Sequence, residues 1–176
     1  MHSNTNNNET NKDNNGISKE ILEKLENDCR ISPKNLAIML DKEEGDIKEI
    51  IESLEKERVI IGYKAIIDWD KTDKEHVTAL IEVKVAPQRE RGFDKIAEKI
   101  YNYDEVQTVY LMSGGFDLAV ILEGRTMREV AYFVAEKIAV MDGIIATATH
   151  FVLRKYKEKG VIYSLDERAD TRVNML

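Results

Sequence analysis

The stretch Gln107-Thr-Val-Tyr-Leu-Met-Ser-Gly-Gly-Phe-Asp-Leu-Ala-Val-Ile-Leu122 decides how this chain folds. Two apolar arms with strand-forming residues flank Ser113, Gly114, Gly115, Phe116 and Asp117, a pattern that predicts a β-hairpin. Adjacent glycines supply positive φ and clear side chains from the turn surface. Such a turn can offer backbone amides and the Asp117 carboxylate to a small molecule.

Outward from the hairpin, Val77, Ala79, Ile81, Val83 and Val85 alternate along an earlier strand, which Pro87 helps to end. Phe93, Ile96, Ala97, Ile100 and Tyr101 follow at helical spacing. Beyond the hairpin, Thr126 and Glu129 form a capping box that opens a second helix, with Val130, Phe133, Val134, Ile138 and Met141 facing inward and Asp142-Gly143 ending it. Ile145, Thr147, Thr149, Phe151 and Leu153 alternate along a last strand. The order βαββαβ over residues 76–156 predicts a ferredoxin-like domain, an antiparallel sheet with both helices on one face. Its other face carries Leu80, Ala119, Ile121, Ala146, Ala148 and Val152, and a second copy of the sheet is the simplest cover. A homodimer is therefore expected.

The first half reads differently. Residues 1–16 are an Asn-rich arm with almost nothing to bury and are expected to be disordered. Ser18 is the predicted cap of a helix carrying Ile21, Leu22 and Leu25, with Ile17 as its staple. Ser32 caps a second helix with Pro33 at its first position, and Leu36, Ala37, Met39 and Leu40 turn inward. Asp41 is the predicted cap of a third, with the stripe Ile47, Ile50, Ile51, Leu54. Val59–Ile67 alternates like a strand. Three short helices and a strand over residues 17–67 suggest a winged helix-turn-helix. Residues 68–75 read as a linker and 157–176 as a tail of undecided structure. The fold class is thus α+β in two domains.

Composition narrows the function. The formal charge of −7 argues against a globally basic nucleic-acid binder. No apolar run reaches the roughly 20 residues needed to span a bilayer, and the N-terminus lacks a signal-peptide pattern, so a cytoplasmic protein without a membrane partner is expected. Cys29, the one cysteine, excludes an intramolecular disulfide and is expected to be a buried core thiol near Leu25. His2, His76 and His150 lack metal-ligand spacing, and no phosphate loop, dinucleotide fingerprint or nucleophile turn occurs. Neither a cofactor, a metal nor a catalytic residue is expected.

Across residues 17–156 the chain resembles the Lrp/AsnC family of feast/famine transcription regulators. The resemblance rests on Ile21-Leu-Glu-Lys-Leu25, Arg30-Ile-Ser32, Leu36-Ala37, Leu54-Glu-Lys-Glu-Arg-Val-Ile60, Gly62-Tyr63, Ser113-Gly-Gly-Phe-Asp117 and Thr147-Ala-Thr149. It implies a DNA-reading N-terminal domain and a RAM-type C-terminal domain that dimerises sheet to sheet. It further implies assembly into tetramers or octamers and binding of an amino acid or similar effector. Ser113, Gly114, Gly115, Phe116 and Asp117 then form the effector pocket, with Thr147 and Thr149 as polar contacts. Amides and hydroxyls suit a carboxylate, and Asp117 suits an ammonium. A plainer reading has the glycines merely closing the hairpin while Asp117 bonds its own turn.

The chain departs from the family in its third helix. Asp41–Arg58 contains eight acids and four bases, with Glu43, Ile50 and Arg58 where the family usually has serine, arginine and glycine. Carboxylates repel the duplex, so DNA contact falls to Lys34, Lys42, Lys48, Lys56, Arg58 and Lys64. The alternatives are a solvated acidic face held by pairs such as Glu52–Lys56, and a metabolite-binding oligomer that has lost DNA recognition. Sirohaem decarboxylases also resemble this family and use His and Arg in the C-terminal domain, where this chain has His150 and Arg154. The regulator-like Gly-Phe-Asp turn favours a regulator over that enzyme.

Overall fold

The computed structural model describes the backbone of residues 6–86 and 92–163. The chain divides into two compact units, Met1–Ala65 and Ile66–Leu176.

In the first unit, α1 (Asn6–Asn27), α2 (Pro33–Leu40) and α3 (Glu44–Lys56) enclose a core of Ile21, Leu25, Leu36, Ala37 and Ile47. The Ser32 hydroxyl accepts from the Asn35 amide at 3.2 Å, and Pro33 occupies the first helical position, as the sequence predicts. Four expectations need correction. The Asn-rich arm is helical from Asn6, so Ser18 lies inside α1 and not at its N-terminus. Once a turn is nucleated, each further residue adds a hydrogen bond at low cost. Asp41 does not cap α3 but ends α2 in the left-handed region, φ 53°, and Glu43 stands at the α3 N-cap. Met39 is exposed. Cys29 is exposed too, because α1 stops at Asn27 and the periodicity that placed it beside Leu25 stops there.

Val59–Ile67 forms no strand. A strand needs a partner edge, and the described residues of this unit offer none. The segment is tied back instead, the Tyr63 hydroxyl donating to Glu55 Oε1 at 2.9 Å. Burial, then this bond to a carboxylate, raise the Tyr63 pKa above its ordinary value.

The second unit is a four-stranded antiparallel sheet in the order β2-β3-β1-β4, from β1 (Val77–Val85), β2 (Val106–Leu111), β3 (Leu118–Gly124) and β4 (Ile144–Phe151). Helix α4 (Gly92–Tyr101) and helix α5 (Met127–Phe133), which continues as a π-helical turn Val134–Ile138, supply Ile96, Ile100, Val130, Val134 and Ile138. These pack on Ala79, Ile81, Val83, Leu118, Val120 and Leu122. The capping box of α5 is present: Thr126 Oγ1 accepts from the Glu129 amide at 3.1 Å, and Glu129 Oε2 accepts from the Arg125 amide at 2.9 Å. This is the ferredoxin-like arrangement. Before β1, a 3-10 turn at Trp69–Lys71 occupies the expected linker, with Lys74 Nζ 4.0 Å from the Trp69 ring centroid. After β4, a two-stranded ribbon forms from β5 (Lys157–Glu158) and β6 (Val161–Ile162).

Helix α3 ends with the Val59 amide on the Leu54 carbonyl and the Arg58 amide on the Glu55 carbonyl, a Schellman motif that places Arg58 at φ 58°. An arginine here holds a conformation that glycine adopts freely. Arg58→Gly should therefore raise the unfolding free energy of the first unit by about 1 kcal/mol in a urea titration. A neutral or destabilising result would show that the arginine side chain compensates for its backbone.

Candidate functional site

The 113–117 turn owes its shape to where the strands stop. Strand β3 begins at Leu118, opposite Val83, so Val85 lies beyond the end of the β1–β3 ladder with its amide facing the space β3 has vacated. The Asp117 carboxylate fills the gap, Oδ2 accepting from the Val85 amide at 2.7 Å while the Asp117 amide donates to the Val83 carbonyl at 3.0 Å. The Met112 amide closes the hairpin on the Asp117 carbonyl at 2.8 Å. The Asp117 side chain therefore clamps two strands, while its carbonyl closes its own hairpin. A carboxylate has about four acceptor positions, so this bond leaves acceptor capacity for a ligand.

The glycines divide in role. Gly114 has φ 154°, which side-chain-bearing residues rarely adopt. Gly115 has no such constraint, and a Cβ built on either glycine would meet no atom within 4 Å. At Gly124, by contrast, the same Cβ would lie 2.8 Å from Val130 Cγ2, so packing explains that glycine. Nothing in the described residues of the chain accounts for the missing side chain at Gly115. Ser113, Gly114 and Gly115 are exposed, while Phe116 and Asp117 are half-buried.

Thr147 and Thr149 do not join the turn directly. They pair with Val83 and Ile81, so both lie on β4 with β1 between them and β3. Two strand spacings separate Thr147 from the turn side of the sheet, roughly 9–10 Å. Residues paired in register share a face, which puts both threonines on the helix-covered side with Ile81 and Val83. The sequence could not show this, because face and neighbour depend on strand order.

The expected DNA contacts collect at the two ends of α3. Lys34, Lys42 and Lys48 lie around its start, and Lys56 and Arg58 at its end, with Lys64 in the segment that follows. All six are exposed. Between the groups lie exposed Asp46, Glu49 and Glu52. The ion pair that forms is Glu44–Lys48, at 2.6 Å, where the sequence suggested Glu52–Lys56. The Lys48 hydrogen bond and charge, with Lys34 adding to them, hold the Glu44 carboxyl below its usual range. Tyr63 and Ser53 engage Glu55 and Glu57, so three of the eight acids already have partners. His150 and Arg154 do not converge: His150 contacts Glu82 at 3.3 Å, and the Arg154 guanidinium lies over the Tyr156 ring.

Asp117→Ala should cost about 1–3 kcal/mol in thermal or urea unfolding, since it strands the part-buried Val85 amide. Asp117→Asn keeps a carbonyl acceptor and should recover most of that loss. Equal losses from both would show that the charge, not the hydrogen bond, holds the clamp.

Comparison with known proteins agrees with this architecture. A family profile described as the Lrp/AsnC ligand binding domain matches residues 78–162. An uncharacterised HTH-type transcriptional regulator of Bacillus subtilis, YugG, is 48% identical over 145 residues, covering 82% of this chain and 87% of that protein. Among solved structures, Escherichia coli AsnC is similar at a TM-score of 0.62 with 19% identity, covering 85% of this chain and 96% of that one. A Neisseria meningitidis transcriptional regulator, NMB0573, solved as a complex with L-Met, reaches 0.67 with 17% identity over 86% of this chain and 97% of its own.

Proposed function

The chain belongs to the Lrp/AsnC family of HTH-type transcriptional regulators, and we propose on that premise that it binds DNA through its first unit under control of an amino acid or related metabolite at the 113–117 turn. The observation that carries the effector reading is the turn itself, where Ser113, Gly114 and Gly115 are exposed beside an Asp117 carboxylate fixed on the Val85 amide. Amides of the turn and the remaining acceptor capacity of Asp117 suit the carboxylate and ammonium of a free amino acid. Thr147 and Thr149 are separated from the turn by β1, so a ligand this small meets both only where the threonines come from a neighbouring copy. Assembly of copies and effector binding are then one equilibrium, and a ligand that prefers one assembly shifts it. The occupied form of the L-Met-bound Neisseria regulator supports an amino acid as the class of effector.

The DNA reading rests on the helix-turn-helix geometry of α2 and α3 and on the cations at both ends of α3. An acidic middle limits how deeply the helix can sit against phosphates, so the lysines at its ends carry the affinity. Multivalent assembly raises that affinity through effective concentration.

Gly115→Leu tests the effector site directly. It should change unfolding stability by less than about 0.5 kcal/mol, because the site is open, yet abolish thermal stabilisation by whichever amino acid stabilises the wild type. Retained stabilisation would place the effector elsewhere.

Gel shifts on the DNA flanking the chain's own gene should weaken linearly in log–log plots against salt. Replacing Lys42 or Lys56 by Ala should each reduce the slope by about 1. No shift even at low salt, with ligand stabilisation intact, would support a sensor that no longer reads DNA.

A further inference from the structure

Helix α3 has two distinct sides. With about 3.6 residues per turn, Ile47, Ile50, Ile51 and Leu54 form one stripe, in which Ile47 and Leu54 are buried and Ile50 and Ile51 half-buried. Gly45, Glu49, Glu52 and Lys56 form the stripe opposite, and all four are exposed. Three neighbouring acids are engaged within the unit: Glu44 by Lys48 at 2.6 Å, Glu55 by the Tyr63 hydroxyl at 2.9 Å and Glu57 by the Ser53 hydroxyl at 2.8 Å. Glu49 takes no hydrogen bond or ion pair from the described residues.

We infer that Glu49 determines base specificity in α3, its carboxylate accepting a hydrogen bond from the N4 amino group of a cytosine in the major groove. The inference rests on the reading that the first unit binds DNA through this helix. In a helix-turn-helix the N-terminal residues of the second helix meet base edges. Along the outward stripe Gly45 comes first and has no side chain, so Glu49 is the first residue of that stripe able to reach a base. Glu52 lies nearly a turn further on, toward Lys56 and Arg58, whose charges suit phosphate. Asp46 stands to the side of the stripe on a shorter stem.

The choice of base follows from where donors stand. An ionised carboxylate only accepts hydrogen bonds. In the major groove guanine presents O6 and N7 and thymine presents O4, all acceptors that oppose a carboxylate. Adenine sets its N6 donor beside the N7 acceptor, whereas cytosine offers its N4 donor alone. Glu49 therefore selects cytosine by rejecting the other bases as well as by bonding the right one. Lys34 and Lys42 near the helix start and Lys56 and Arg58 at its end hold the phosphates, which leaves the carboxylate to act on sequence.

Selection of sites from a randomised duplex pool by the full chain, followed by dissociation constants for all four bases at each selected position, tests this. The wild type should favour cytosine about tenfold or more at one position of each half-site. Glu49→Gln should move that preference to adenine, whose N6 and N7 suit a carboxamide, and Glu49→Ala should bring the four bases within about threefold of one another. Glu52→Ala should leave the preference as it is. Cytosine still favoured in both Glu49 variants, a preference that moves with Glu52 instead, or Glu49→Ala binding every sequence more tightly with the same preference would overturn the inference, the last by showing that Glu49 only repels the duplex. A wild-type chain that selects no DNA even at low salt overturns the DNA reading itself, and the inference with it.

Discussion

Strand β1 is hydrogen-bonded along both edges, to β3 and to β4, and its register organises the second unit. Ile81 and Val83 are fully buried beneath α4 and α5, which commits every odd position of β1 to the core and every even one to the opposite face. A slip of one residue would exchange the two sets. Two features follow from that single alignment: the strand ends that shape the turn, and the face on which His150 meets Glu82 and His76 meets Glu123.

The turn shows how a side chain can finish a strand end. Because β3 starts one residue after Asp117, a side chain completes the ladder where backbone stops. The clamp holds the hairpin against β1 through both the backbone and the side chain of Asp117. Gly115 takes no part in that packing, since a Cβ there would meet no atom within 4 Å.

In the first unit, the acids of α3 are partly occupied with holding it together. Glu44, Glu55 and Glu57 take bonds from Lys48, Tyr63 and Ser53, and the Tyr63 bond draws the following segment back to the helix. Acidic composition is therefore a weaker argument against DNA contact than the count alone suggests. What remains are Asp46, Glu49 and Glu52 along the exposed middle of the helix and Asp41 and Glu43 before it, with the cations confined to its two ends.

The sequence by itself determined the elements and their faces. The strand alternation of 77–85, the helical spacing of 93–100, the capping residues Ser32 and Thr126 and the glycine hairpin are local signals, each read over a few residues. Where a local signal had two uses, it misled: Asp41 reads equally as the cap that begins one helix or the left-handed residue that ends another, and Val59–Ile67 has strand chemistry but no edge to pair with. Only the tertiary structure decided the partners. Strand order placed β1 between the turn and the threonines, and register set His150 against Glu82. It also turned Asp117 from a residue of its turn into a bond with Val85. Those contacts join positions from 32 to 68 residues apart, a separation at which residue type and spacing carry no information about who meets whom.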